Sequence, residues 1–470
     1  MNGTNGNGIV NDPKPSTHAW QTLSQYLPPR DHDSDFWWNL TGRHLAGIVE
    51  AAGYSLDKQY EALLMHYHWT NWTSQLQHDG APIEYSWKWN TSKPNDKPRI
   101  RYAIEPIGPR AGTESDPLNH DSLREIISSL KAVVPGVDTT WSNYFWSALY
   151  DRDNHRYMEE RAAGARLTTS TMMCTELSTT DEEPLEFKTY FSPRHHDQPI
   201  FLDLDNWEKA LKGLDPHNEA RDKLLDYLRT SEEGQLMKPL TVAVDNVKPE
   251  HSRLKWYFWS PKTNFAAVRD IMTLGGRIPA SAKQKAGLDD LYELIRAATS
   301  LPADHPETSE IRPPSGPGAD AVEKNGGVPF GKEPEQEAAL SEGDNLEDMF
   351  KGHWYYFDIA PGKSVPEVKI YVQLRVNGRD DLAIARGVCS WMESHGRGAY
   401  CGRYQKMLDD SIATHRHLNG STGIQTFLAC QFKEGKDMDV TSYFGPEAFH
   451  EARKAASDGP RRRGLLRRDE

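Results

Sequence analysis

Arg253-Leu254-Lys255-Trp256-Tyr257 is the stretch that most narrows what this chain can become. It is short, aromatic and strictly alternating, so it reads as a β-strand. Side chains on a strand point to opposite faces with a period of two. Arg253, Lys255 and Tyr257 therefore share one face, and Leu254 and Trp256 the other. The marking recurs in Lys188 with Tyr190 of LEFKTYF, in Lys369 with Tyr371 of VKIYVQL, and in Arg99 with Arg101 of PRIRYAIEP. Tyr443 lies on DVTSYFG, with Lys433 ahead of it in CQFKEGK. An ordinary half-solvated sheet keeps tyrosine inside and cations outside. Cations and phenols on one face make sense if these strands belong to one closed sheet and their marked faces converge. The alternative is a set of unrelated strands with exposed Lys and Arg.

A pocket with several cations beside phenol rings has a definite chemistry. Arg and Lys are the usual binders of a diphosphate. Tyrosine faces attract cations. Together they suit an allylic diphosphate: the cations hold the leaving group and the rings screen the carbocation left behind.

The order of elements supports closure. Strand pairs are expected near 81–90 and 99–107, 166–177 and 185–193, 239–246 and 252–259, 353–359 and 366–376, and 422–432 and 438–444. Helical patterns precede each pair, and short turns within a pair mean antiparallel hairpins. Five hairpins make ten strands, enough to close a barrel around a ligand-sized lumen. The expected fold is thus α+β: a ten-stranded antiparallel β-barrel surrounded by α-helices, built from ααββ repeats. Ser55 is expected to cap a helix, Ser122 and Glu125 to form a capping box, and Gly275-Gly276 to stop a helix.

Composition bounds the rest. The 470 residues carry a formal net charge of −13, which argues against nucleic acid as a partner and makes the cationic strands a local feature. Residues 1–30 read as a disordered start without a signal peptide, 31–450 as a single domain, 300–346 as a flexible Pro/Gly/acid-rich insert, and 451–470 as a basic tail. No apolar run is long enough to span a membrane. Cys174, Cys389, Cys401 and Cys430 are widely spaced with no CxxC pair, which suits reduced thiols in the cytoplasm. The oligomeric state stays open, a homodimer included.

FWWNLTG, PIEYSWKWN, RYAIEPIG followed by GTESDPLN, KTYFSP, RLKWYF, MTLGGR and PEVKIYV occur in this order from about Trp37 to Phe444. In them the chain resembles the fungal indole, dimethylallyltryptophan-synthase-type, aromatic prenyltransferases. The resemblance implies the same ten-stranded barrel and a metal-independent transfer of a dimethylallyl group from dimethylallyl diphosphate to an aromatic, indole-type acceptor, with no cofactor. It implies diphosphate contacts by Arg101, Lys188, Arg253, Lys255 and Lys369, with Lys433 a looser match. It implies a tyrosine screen of Tyr190, Tyr257, Tyr371 and Tyr443, and a catalytic Glu84 that accepts the indole N–H. Two departures stand out. TMMCTEL lacks the lysine the family often carries there, and Asp439 stands where a second tyrosine of the last strand is usual.

Other signals are weaker. Asp289-Asp290-Leu291-Tyr292-Glu293 resembles a magnesium-binding aspartate box, but Leu288, Leu291, Leu294 and Ile295 form the buried stripe and leave the acids outside. The pairs His66/His68, His195/His196 and His415/His417 match no zinc spacing. No metal site is expected.

Overall fold

The computed structural model describes residues 16–70, 73–74, 83–91, 93, 96–164, 170–180, 183, 185–196, 201–279, 282–311, 351–432 and 436–454. Ten strands close into one barrel: β1 (Ile83–Lys88), β2 (Arg99–Ile104), β3 (Thr171–Glu176), β4 (Glu186–Phe191), β5 (Lys238–Asp245), β6 (Leu254–Ser260), β7 (His353–Asp358), β8 (Glu367–Gln373), β9 (Gln425–Gln431) and β10 (Asp439–Phe444). Every strand pairs antiparallel with its neighbours in sequence, and β10 returns to β1, with Ser442 opposite Trp87 and Tyr443 opposite Ser86. Closure leaves the barrel no open edge. Helices precede each hairpin, so the chain runs as five ααββ units, as expected.

The strand faces divide as the alternation requires. Leu254, Trp256 and Phe258 point outward and are buried beneath helices, where Trp256 meets Trp207 at 5.6 Å between ring centroids. Tyr102 lies against His66 and Trp69, and Trp87 against Tyr404. Each such large side chain withdrawn from water is worth roughly 1.5–3 kcal/mol. This apolar shell between barrel and helices is the main core. A separate small cluster, Ala243, Tyr257 and Tyr356 with Tyr190 and Tyr371 packed on it, sits inside the barrel.

Two local expectations are corrected. Residues 1–30 are not uniformly disordered, because His18–Tyr26 is helical and buries Trp20 against Trp38. Ser122 is not a capping residue. Its helix starts at Asp121, and Asp116 instead accepts from the backbone N–H of His120 and Asp121, while Ser122 Oγ donates to the Pro106 carbonyl. Within the first helical layer, Trp38–Gly42 of FWWNLTG forms a π-helical turn. Ser55 does cap its helix, and the helix Phe265–Thr273 ends with Leu274, Gly275 and Gly276 all at positive φ. Of the expected insert only 300–311 are described, and of the basic tail only 451–454.

The helices Ala282–Thr299 and Asp381–Ser394 cross closely enough that a Cβ at Gly387 would lie 1.9 Å from the carbonyl oxygen of Ala297. Gly387→Ala should therefore destabilise the fold by about 1–3 kcal/mol, seen as a lower urea midpoint at unchanged m-value. An unchanged midpoint would contradict this packing.

Candidate active site

The lumen of the barrel is built in layers set by strand register. Rise along a strand is about 3.3 Å per residue, so a residue two places on lies one layer, roughly 7 Å, further in. Lys188→Tyr190, Lys255→Tyr257 and Lys369→Tyr371 each make that step, which stacks a phenol layer beneath a cation layer. Glu84 lies deeper on β1, two residues beyond Ser86, which pairs with Arg101. A cavity of about 1340 Å³, its open mouth included, is lined by all of these, by Arg101, Arg253 and Tyr443, and by Met172 and Cys174.

The cation layer contains Arg101, Lys188, Lys255 and Lys369, with Arg253 one strand step further out, and it is laced with acids that the sequence does not mark. Glu176 bridges Arg101 at 2.7 Å and Lys188 at 3.4 Å. Asp245 bridges Arg253 at 2.6 Å and Lys255 at 3.2 Å. Burial alone would raise the Asp245 carboxyl, but Lys255, Arg253 and Lys188 outweigh it and hold it well below the usual carboxylate range. Glu176 is likewise held down against burial by Arg101 and Lys188. Burial pulls the Lys255 ammonium down to about 8, partly offset by Asp245. Lys369 is different. Among the described residues no carboxylate lies within ion-pair distance of it, and burial, reinforced by Arg101, lowers its pKa strongly. Its Nζ sits instead over the rings of Tyr371 at 5.2 Å and Tyr443 at 5.7 Å.

Beneath lies a continuous phenol wall. Ring centroids are 5.8 Å apart for Tyr190 and Tyr257, 5.3 Å for Tyr257 and Tyr356, 6.1 Å for Tyr356 and Tyr371, and 5.6 Å for Tyr371 and Tyr443. Burial pushes all five hydroxyls up, so the rings are neutral near pH 7. At the inner end Trp354 and Phe427 flank the space beside Glu84, whose Oε1 accepts a hydrogen bond from Thr426 Oγ1 at 2.8 Å.

The structure thus brings together Glu84, Arg101, Lys188, Arg253, Lys255, Lys369, Tyr190, Tyr257, Tyr371 and Tyr443. Lys433 lies outside the described residues. Tyr356 and Trp354 were not picked out from sequence, although HWYYFD alternates Trp354, Tyr356 and Asp358 on one face, and Tyr356 pairs with both Tyr257 and Lys369. Asp439 forms an ion pair with Lys88 at 3.1 Å at the charged end. The wall where a family lysine is expected presents Met172 and Cys174, and burial pushes the Cys174 thiol up, so it stays protonated. Asp290, Glu293 and His395 lie with ligand atoms within 4.8 Å of one another on the helical layer, and none of the three lines the cavity.

The closed ten-stranded barrel has counterparts among known proteins. Residues 33–407 match the family described as tryptophan dimethylallyltransferase. Xanthone prenyltransferase B of Emericella nidulans is 43% identical over 465 residues, covering 96% of this chain and 95% of that protein. Prenyltransferase anuH of Penicillium roqueforti is 45% identical over 464 residues, covering 95% and 96%. Among solved structures, NotF in complex with brevianamide F and DMSPP superposes with a TM-score of 0.70 at 18% identity, covering 92% of this chain and 99% of that one. AnaPT from Neosartorya fischeri gives 0.69 at 20% identity, covering 91% and 98%. The chain belongs to the tryptophan dimethylallyltransferase family of aromatic prenyltransferases.

Because Lys255 loses its proton as pH rises through about 8, the cation layer should lose affinity for inorganic pyrophosphate over that range in calorimetric titrations. An affinity flat through that range would show that Lys255 does not set the charge of the layer.

Proposed function

We propose that this enzyme transfers a dimethylallyl group from dimethylallyl diphosphate to a ring carbon of an aromatic acceptor by electrophilic substitution, without a divalent metal. One observation carries this reading: five basic side chains, four from β2, β4, β6 and β8 and Arg253 just ahead of β6, line the same cavity as five tyrosines and Glu84. Arg101, Lys188, Arg253, Lys255 and Lys369 bind the diphosphate, with Lys433 a further ligand. Their charge does the work a metal ion does elsewhere. As the donor C–O bond breaks, its electron pair stays on the diphosphate oxygen, and the cations stabilise the growing negative charge. The allyl cation sits against the faces of Tyr190, Tyr257, Tyr356, Tyr371 and Tyr443. These close walls keep water off it. The acceptor carbon forms the new C–C bond and then releases its proton. We infer that the released diphosphate takes the proton; the Cys174 thiol at that wall is held protonated by burial.

Glu84 orients the acceptor. Its carboxylate accepts an N–H from an indole, raises electron density in the ring and stabilises the cation formed on attack. Indole enzymes among the structural neighbours support that acceptor, brevianamide F being the ligand in the NotF complex. A second reading is favoured by the relatives. Two proteins named xanthone prenyltransferases B and A, from Emericella nidulans, are 43% and 34% identical over nearly the whole chain. A hydroxylated polycyclic ketone would donate a phenolic O–H to the same Glu84. We place the enzyme in the cytoplasm; no helix among the described residues is long and apolar enough to cross a membrane.

Incubation with dimethylallyl diphosphate and parallel panels of indoles and hydroxyxanthones, read by mass spectrometry, should show gain of one prenyl unit in one panel. No gain in either would leave a binding barrel without this activity. Lys188→Ala and Arg253→Ala should each lower turnover by about 100-fold or more. Excess EDTA should leave turnover unchanged, and its loss in EDTA would refute the metal-free mechanism.

A further inference from the structure

We propose that Thr426 is a positioning residue that holds Glu84 for the acceptor, and that a β-bulge in β9 exists to aim it there. The inference rests on the acceptor role proposed for Glu84. The pairing of β9 with β10 is regular except at one place: Gln425 lies opposite Phe444 and Phe427 opposite Tyr443, so the extra residue, Thr426, has no partner of its own. Gln425 points outward and Phe427 lines the cavity. In an unbroken strand Thr426 would alternate with Phe427 and face the helices. A bulge breaks that alternation and can re-aim a side chain beside a site. Here Thr426 and Phe427 both face the lumen, and Thr426 Oγ1 donates to Glu84 Oε1 at 2.8 Å.

The bulge is anchored from outside. Asp381 is fully buried, and its carboxylate accepts from the backbone N–H of Ile424 at 3.2 Å and of Gln425 at 2.8 Å. The Gln425 side chain donates to the Asp381 carbonyl at 2.6 Å and accepts from Tyr404 Oη at 3.0 Å. Arg416 in turn holds Asp381 at 2.6 Å. These bonds tie the outward residue of the bulge to the helical layer, which leaves Thr426 a single direction. Thr426 is itself buried, so its hydroxyl has no competing bulk water. A carboxylate has several acceptor directions, so Thr426 can fix the rotamer of Glu84 while the acceptor donates to the same group. The bond then acts before the acceptor arrives, as preorganisation of the carboxylate.

Steady-state kinetics of Thr426→Val, Thr426→Ser, Glu84→Gln and the Thr426→Val/Glu84→Gln double variant test this, using dimethylallyl diphosphate and an aromatic acceptor from the panels, with calorimetry of inorganic pyrophosphate as the check on the cation layer. A lost hydrogen bond to a charged group predicts an acceptor kcat/KM about ten- to a hundredfold lower in Thr426→Val. The donor KM and the pyrophosphate affinity should stay at the parent values, and Thr426→Ser should restore the acceptor kcat/KM. The double variant should be no worse than Glu84→Gln, because Thr426 acts through Glu84. Parent-like kinetics in Thr426→Val, or losses that multiply in the double variant, would overturn the inference while leaving the acceptor role of Glu84 intact. If Glu84→Gln itself leaves the acceptor kcat/KM unchanged, the acceptor role fails and the inference falls with it.

Discussion

Buried ammonium and guanidinium groups are tolerable only when paired, because the uncompensated charge costs several kcal/mol. Everything in this barrel depends on how that cost is met. Glu176 is shared between Arg101 and Lys188, and Asp245 between Arg253 and Lys255. The acids hold these cations together at the mouth of the phenol wall. They also keep that layer from being a bare positive patch that would repel itself. Lys369 stands apart, with ring faces rather than a carboxylate against its Nζ. Burial disfavours its charged form, so it is the member of the layer whose protonation an incoming polyanion would favour most.

The phenol wall follows from the same geometry. A lysine and a tyrosine two residues apart on one strand must sit one layer apart on the same side. Repetition of that spacing on three strands turns a local rule into two stacked rings of side chains. The wall is completed by Tyr356 on β7, inserted between Tyr257 and Tyr371. The outer face of each strand meanwhile carries the apolar residues that bind the helices, such as Trp256 against Trp207. One strand therefore serves the fold with one face and the chemistry with the other.

Much of this was legible in the sequence. The pairs Lys188/Tyr190, Lys255/Tyr257 and Lys369/Tyr371 announce an inward polar face, and the repeated helix–hairpin order announces closure. What escaped notice has two sources. Tyr356 and Trp354 carry the same period-two signal but lack a cation beside them within HWYYFD to mark their face. Glu176 and Asp245 end their strands, where acids look like ordinary turn-flanking residues. Only the pairing of Asp245 with Lys188 and of Glu176 with Arg101 reveals their part in the layer.

The sequence by itself determined which side chains share a face, since alternation is a property of the local backbone and needs no partner. It also determined the number of hairpins and the apolar stripes that turn helices toward them. Tertiary structure alone decided which faces meet, because cross-strand register is set by pairing between distant segments and by the return of β10 to β1. It decided that acids thread the cation layer. It also decided that Thr426 points inward, because a bulge reverses the face that simple alternation assigns.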